Sequence, residues 1–155
     1  MTRWLNEEEQ RHWRAYITMV ALLQERLGQE LQRAHELSIQ DYEILVRLSE
    51  SANHSIRMSE LADLTQASRS RLTHQIDRLE RLGYIRRERA ASDNRGRLAI
   101  LTDGGMAALV AAAPTHVEGV RTHLLDQLSP DQFREFGIAS AAIAAHLSEL
   151  KASES

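Results

Sequence analysis

The sequence predicts a mainly α-helical fold that contains one small β-hairpin. Apolar residues recur at three- and four-residue steps in several stretches, which is the spacing of one helix face. The 155 residues include only two prolines and seven glycines, so few positions interrupt a helix. The helical spacing stops after Gly83, where a polar loop separates two short segments of strand character. This length suits a small domain with appended helices.

The N-terminal third is predicted to form two helices. The first runs from Glu7 to about Arg33, and its apolar face consists of Trp13, Tyr16, Ile17, Val20, Leu23, Leu27 and Leu31. Ser38 is predicted to cap the second helix, because Asp41 follows at the spacing of a reciprocal capping pair. That helix should end near residues 51–53.

Two shorter helices follow a brief segment at residues 55–57. Ser59 is predicted to cap the first helix, and residues 65–67 form a tight turn. Ser68 is predicted to cap the second helix, which should end near Leu82. The inward face of this helix is predicted to carry Leu72, Ile76 and Leu79.

Gly83 closes that helix, since glycine readily adopts the left-handed conformation of a C-terminal cap. Residues 84–89 and 97–101 are predicted to be strands around a polar loop, residues 90–96. The three segments together predict a β-hairpin rich in arginine.

Two long helices complete the chain. Thr102 is predicted to cap the first, an alanine-rich helix that Pro114 should interrupt or kink. The second is predicted to begin at residues 129–131, which place a serine cap before a first-turn proline.

The order of these elements is that of a winged helix-turn-helix flanked by further helices. One helix fits into the major groove of DNA, and a basic hairpin can reach the neighbouring minor groove. The sequence therefore predicts that the protein binds double-stranded DNA.

The charge distribution agrees with this prediction, although the formal net charge is only −3. Residues 68–97 hold nine arginines against four acidic residues, a formal charge of +5, which leaves −8 for the remainder. A cationic region on an anionic chain attracts a polyanion at one face. For any single arginine, a solvated helix face remains the alternative.

The helix after Ser68 presents the residues expected to contact DNA. Its N-terminal half should do the reading, so the predicted contacts are Arg69, Ser70, Arg71, Thr73 and His74. Two further arginines, Arg78 and Arg81, either contact phosphate or pair within the helix with Asp77 and Glu80.

Motifs in the hairpin and the preceding helices resemble those of the MarR family. The wing signature of that family, Asp-x-Arg ending in Leu-Thr-x-x-Gly, is matched by Asp93-x-Arg95 and by Leu101-Thr102-x-x-Gly105. Residues 76–87 resemble the end of its recognition helix and its first wing strand, and residues 59–62 resemble the helix before. The resemblance follows the order of elements along nearly the whole chain.

The resemblance implies a homodimeric transcription regulator, more often a repressor, that binds a pseudo-palindromic operator. It divides the chain into a dimerisation helix, residues 1–37, a DNA-binding domain, residues 38–102, and C-terminal dimerisation helices, residues 103–155.

The resemblance also assigns roles in the wing. Arg95 would enter the minor groove, Asp93 would hold its side chain, and Arg97 completes the predicted DNA-contacting set. The family often has arginine where this chain has His74, which leaves the base preference open and allows pH-sensitive binding.

A small aromatic or anionic effector is also implied, because the family typically responds to such ligands. The candidate effector-binding residues are Trp13, Arg14, Tyr16, His35 and Tyr42. The alternative is that Trp13 and Tyr16 belong to a dimer core and that Arg14 is solvated.

Other classes of function find little support in the sequence. There is no cysteine, which excludes thiolate metal sites and thiol chemistry, and the seven histidines match no catalytic or metal motif. We therefore expect no catalytic site, no metal and no cofactor. The sequence has no apolar signal peptide or membrane-length run, so we expect a cytoplasmic protein without a membrane partner. A winged helix that binds protein instead of DNA remains the main rival.

Overall fold

A computed structural model, which describes residues 1–90 and 96–153, shows a mainly helical chain with one three-stranded antiparallel sheet. The helices are α1 (Glu7–His35), α2 (Ile39–Glu50), α3 (Met58–Leu64), α4 (Arg69–Arg81), α5 (Asp103–His123) and α6 (Pro130–Ser153). The strands are β1 (Ser55–Arg57), β2 (Ile85–Arg89) and β3 (Arg97–Leu101). Short 3₁₀ turns occupy Ala52–His54 and Leu125–Gln127. The predicted fold class is confirmed.

The chain divides into two compact units, residues 1–117 and residues 118–155. The hydrophobic core lies in the first unit, where α2, α3, α4 and the sheet meet. Its fully buried side chains include Leu31, Ile44, Leu45, Leu48, Leu61, Ile76 and Leu79. One face of α4 is therefore packed against this core.

Three of the four predicted serine caps form as expected. Ser38 and Asp41 accept hydrogen bonds from each other's backbone N–H groups, both at 3.0 Å. Ser68 Oγ accepts from the N–H of Arg71 at 3.3 Å, at the start of α4. Ser129 Oγ accepts from the N–H of Gln132 at 3.2 Å, at the start of α6. Each bond pairs a backbone donor that the first helical turn leaves unpaired.

The prediction for Ser59 was wrong. The helix begins one residue earlier, at Met58, and Arg57 is the N-cap residue, with an extended backbone and no side-chain cap bond. The preceding three residues form strand β1, which the sequence did not predict. This strand pairs with β3 about forty residues later, in the sheet order β1-β3-β2. Three residues are too few to show a period of their own.

The junction between α4 and α5 explains the Leu-Thr-x-x-Gly motif. Gly83 adopts φ 76°, the predicted left-handed C-terminal conformation. Thr102 Oγ1 donates to the carbonyl of Gly83 at 2.6 Å and accepts from the N–H of Gly105 at 3.0 Å. A Cβ at Gly105 would collide with the carbonyl oxygen of Tyr84. The threonine therefore caps α5, and the glycine allows the backbones to approach closely.

Helix α5 runs unbroken past Pro114, so the interruption predicted there is not seen. Among the residues that the structure describes, no helix has both the length and the apolar character needed to cross a membrane.

Candidate nucleic-acid interface

Helix α4 is strongly amphipathic, and its two faces match the predicted ones. Leu72, Ile76 and Leu79 are buried in the core. The five residues of the N-terminal half of α4 that are predicted to read DNA are all exposed, namely Arg69, Ser70, Arg71, Thr73 and His74. The core thus holds one side of α4 and leaves a polar, cationic side for a partner.

The hydroxyl of Thr73 already has one hydrogen bond within the helix. Its Oγ1 donates to the carbonyl of Arg69 at 2.8 Å. The oxygen therefore keeps acceptor capacity toward the outside, while Arg69 and Arg71 supply donors beside it. Base edges present both donors and acceptors, whereas phosphate oxygens only accept, so the arginine donors can pair with either and the threonine oxygen can pair with a base donor.

Arg78 lies differently from the other predicted contacts. Its guanidinium forms an ion pair with Asp41 and donates to the carbonyl of Glu36 at 2.8 Å. Asp41 is only 1% exposed. Arg78 thus joins the C-terminal half of α4 to the corner between α1 and α2, a contact that the sequence did not predict.

Asp77 and Glu80, the predicted alternative partners of Arg78 and Arg81 within the helix, pair with Arg87 of β2 instead. The Nη2 atom of Arg87 lies 2.6 Å from Glu80 Oε2 and 2.7 Å from Asp77 Oδ1. Hydrogen bonds from Arg87 lower the pKa of Glu80, and the carboxylates raise the pKa of Arg87. This cluster ties the first wing strand to α4.

The wing strands present like charges side by side. In the register of β2 and β3, Arg89 stands directly opposite Arg97, and both are exposed. Opposed like charges on neighbouring strands are unfavourable unless an anion binds between or near them. The predicted contacts Asp93 and Arg95 lie outside the described residues.

The five candidate effector residues fall into two separate groups. Trp13 and Tyr16 lie on the exposed N-terminal half of α1 with ring centroids 6.0 Å apart, and Arg14 bonds Gln10 at 3.3 Å. His35 ends the same helix, about 33 Å away along the axis at the usual rise per residue. Among the described residues of one chain, this distance is too large for a single crevice to hold both groups.

The second group, His35 and Tyr42, lies beside two residues of α5 that the sequence did not indicate, Thr115 and His116. His35 Nε2 lies 2.8 Å from Thr115 Oγ1, and the ring of Tyr42 lies 4.5 Å from that of His116. Burial raises the pKa of Tyr42 and lowers that of His116. Within the described parts of the chain, His116 Nδ1 is buried without a hydrogen-bond partner. No local pattern in the sequence indicates this cluster, because Thr115 lies 80 residues after His35 along the chain and only the packing of α5 over α2 brings them together.

Comparison with known proteins identifies relatives across most of the chain. The model of the MarR family matches residues 37–96. The HTH-type transcriptional regulator PecS of Dickeya dadantii (strain 3937) is 32% identical over 115 residues, which are 74% of this chain and 67% of PecS.

Two solved structures from Streptomyces coelicolor are closer in sequence. Sco3205, a MarR family transcriptional regulator crystallised in complex with DNA, is 43% identical with a TM-score of 0.89, over 94% of this chain and 92% of its own. AbsC, also a MarR family transcriptional regulator, is 44% identical with a TM-score of 0.88, over 96% of this chain and 99% of its own. Both structures match the present chain over nearly its full length.

Proposed function

The chain belongs to the MarR family, and from that premise we propose that it is a sequence-specific regulator that represses transcription as a homodimer on a pseudo-palindromic operator. The observation that carries the proposal is the cationic, exposed N-terminal half of α4 beside arginine-bearing wing strands. A related protein, Sco3205, has been crystallised with DNA. The proposal assigns no catalytic role, in keeping with relatives that are transcription regulators.

The proposed interface separates reading from anchoring. Arg71, Thr73 and His74 face outward on α4 and would meet base edges in the major groove. On the strength of the sequence motif, Arg95 would enter the minor groove, where narrow geometry strengthens the negative potential. Arg89 and Arg97, opposed across the wing strands, would contact the backbone.

The homodimer is supported by apolar side chains left exposed on two helices. On α1, Trp13, Ile17 and Val20 share one face and are 55%, 45% and 36% exposed. On α6, Ile143 and Leu147 are 60% and 57% exposed, one turn apart. Full burial of such a side chain contributes about 1.5–3 kcal/mol, so covering both faces with a second copy would stabilise the assembly substantially. A two-fold dimer also presents two α4 helices to two half-sites.

An effector is proposed to bind near Tyr42 and His116. The two rings provide an aromatic wall, and the buried Nδ1 of His116 offers a hydrogen bond that nothing in the described chain fills. An aromatic acid suits both features. Bound there, against α2 and α5, it would favour one position of the DNA-binding elements over another and so weaken operator binding.

The direct test is a gel shift of the purified protein with DNA from the region upstream of its own gene, in a salt series and with an unrelated competitor duplex. We expect binding that survives the competitor and weakens steeply with salt, because bound arginines release counterions from phosphate. A flat salt dependence would favour a protein-binding winged helix instead.

The effector is tested by thermal denaturation with salicylate-like acids. We expect such an acid to raise the melting temperature of the protein and to lower its affinity for operator DNA. If no acid of this class stabilises the protein, the proposed effector class is wrong.

A further inference from the structure

Arg87, in the middle of strand β2, is held by two acidic residues of α4. Glu80 Oε2 accepts from Nε of Arg87 at 3.1 Å and from Nη2 at 2.6 Å. Asp77 Oδ1 lies 2.7 Å from the same Nη2 atom. Glu80 Oε1 also accepts from the backbone N–H of Arg87, at 3.2 Å. These three residues, the Arg87 cluster, therefore fix both the side chain and the main chain of one strand residue to the recognition helix.

The Arg87 cluster lies where the wing strands leave the core. Ile85 and Leu101 pair with each other at the inner end of the strands, and both are buried. Two residues further along β2, Arg87 pairs with the fully buried Ala99, and its own side chain is 20% exposed. The next two residues of β2 are exposed. Any swing of the outer strands away from α4 would have to break the bonds of the cluster.

The charge of the Arg87 cluster is unsuited to a contact with phosphate. Asp77 and Glu80 bring two negative charges against the one positive charge of Arg87, and their side chains are 43% and 37% exposed. They are two of the four acidic residues in the basic segment, residues 68–97. Acidic groups beside a polyanion weaken its binding. Their place on α4 therefore indicates a structural task, and it leaves Arg87 little positive charge to offer DNA.

We propose that Arg87 is a positioning residue, which fixes the angle between α4 and the wing so that the two read each half-site at one fixed spacing. The inference rests on the DNA-binding function proposed above. The recognition helix and the wing would enter adjacent grooves, and the duplex sets the distance between those grooves. A wing that is already held at this distance needs no ordering when DNA binds, which favours both affinity and specificity.

Positioning of this kind leaves a signature in the DNA sequences that the protein selects. Each half-site should contain one segment that α4 reads and a flanking segment that the wing reads. If the wing is loosened, α4 still reads its own bases, whereas the wing meets the minor groove at several positions. The preference in the flanking segment should then fall alone. Loss of the fold would instead weaken the preference in both segments together.

The experiment selects duplexes from a random library with the wild type, with Arg87→Gln and with Arg47→Gln. The last is a matched control, because Arg47 pairs with Glu43 on α2 at 3.6 Å. Sequencing gives the preference at each base pair, and fluorescence anisotropy gives the affinity. We expect Arg87→Gln to bind about tenfold more weakly, to keep the preference in the α4 segment and to lose most of it in the flanking segment. Arg47→Gln should match the wild type in both segments.

A charge exchange separates positioning from phosphate contact. The double variant Arg87→Glu with Glu80→Arg keeps the net charge and an opposite pair between the same two elements. For a positioning residue, the exchange should recover the flanking preference and most of the affinity that Arg87→Glu alone loses. For a residue that contacts phosphate, the double variant should stay as weak as Arg87→Glu, because position 87 then presents a carboxylate to the DNA.

Circular dichroism and thermal denaturation show whether each variant is folded. If Arg87→Gln fails to fold, Glu80→Gln gives the same comparison, since it removes one charge of the cluster and keeps an acceptor for the N–H of Arg87. The proposal is wrong if the folded variant keeps the wild-type flanking preference, or loses preference equally in both segments. It is also wrong if the charge exchange recovers nothing. If the wild type selects no sequence at all, the proposed function fails, and this inference fails with it.

Discussion

At the scale of single residues, Asp41 holds together three parts of the first unit. Its carboxylate caps α2 through the N–H of Ser38 and forms the ion pair with Arg78 of α4. Arg78 also satisfies the carbonyl of Glu36, the residue that ends α1 at φ 56°. One buried acid thereby sets where α4 sits relative to the corner between α1 and α2.

We predict that Asp41→Asn and Arg78→Gln each lower the free energy of unfolding by about 2–4 kcal/mol, because each leaves the partner charge without its counterion. In urea titrations the double variant should lose less than the sum of the two, with a coupling energy of about 1–3 kcal/mol.

Arg81→Gln is the matched control, since Arg81 is exposed at the end of the same helix and bonds only the carbonyl of Asp77 in the described structure. It should change stability little. If the losses of stability in Asp41→Asn and Arg78→Gln simply add, and if Arg78→Gln also lowers the salt dependence of DNA binding, Arg78 contacts phosphate and does not serve as the structural partner of Asp41.

A second prediction concerns the buried ring of His116. Burial lowers its pKa below the usual 6.5, so the unfolded chain binds a proton at a pH where the folded chain does not. Stability should therefore fall as pH drops from above 6.5 toward the folded pKa. Measured by urea unfolding between about pH 7.5 and about pH 5.5, His116→Gln should show a smaller fall than the wild type.

His146→Gln, which changes an exposed histidine of α6, serves as the control and should keep the wild-type dependence. An undiminished fall in His116→Gln would show that other groups account for the loss.

What the sequence could and could not predict at this scale follows from distance along the chain. Ser38 and Asp41 are three residues apart, so their reciprocal bonds were readable from the sequence alone. Asp41 and Arg78 are separated by 37 residues, and nothing local marks them as partners. The same holds for Tyr42 and His116, which only the packing of α5 over α2 brings together.

At the scale of elements, α2, α4 and α6 could be predicted because in each of them a capping serine stands immediately before a helix-forming segment. The buried stripe of α4 follows from a spacing of four and three residues, and Ser68 and Gly83 mark its ends. Strand β1 was not predictable, since its three residues become a strand only by pairing with β3. The false cap at Ser59 has the same origin, because α3 continues directly from that strand.

The reading role of α4 leads to a third prediction. Arg71→Ala and His74→Ala should change which duplex is selected from a random library, and should reduce discrimination against altered base pairs by about 1–3 kcal/mol. Arg97→Ala, in the wing strand, should instead weaken binding to all duplexes alike. Selection of an unchanged consensus by Arg71→Ala and His74→Ala would remove them from the reading surface.

At the scale of the whole molecule, the charge is arranged for a polyanion at one region only. Residues 68–97 carry a formal charge of +5 within a chain of −3, so the remainder is anionic. The anionic remainder repels DNA, whereas Arg69 of α4 and Arg87 and Arg97 of the wing strands line one common cleft. Two such regions in a dimer would multiply the affinity, because binding one half-site raises the effective concentration at the other.

The last prediction tests that dimer. Ile17→Glu on α1 and Leu147→Glu on α6 each place a carboxylate on an exposed apolar face, and burying it against a second copy would cost several kcal/mol. Light scattering after size exclusion should give about twice the chain mass for the wild type and a shift toward one chain mass for both variants. Because neither side chain belongs to the core of the first unit, helical circular dichroism should persist.

Thr18→Glu is the control for this test, since it adds the same charge next to Ile17 but away from the face that Trp13 and Val20 share. It should remain dimeric. The two disruptive variants should also bind the selected duplex far more weakly, because a monomer engages only one half-site. A wild type of one chain mass that still binds the full operator tightly would show that the two half-sites do not depend on a preformed dimer.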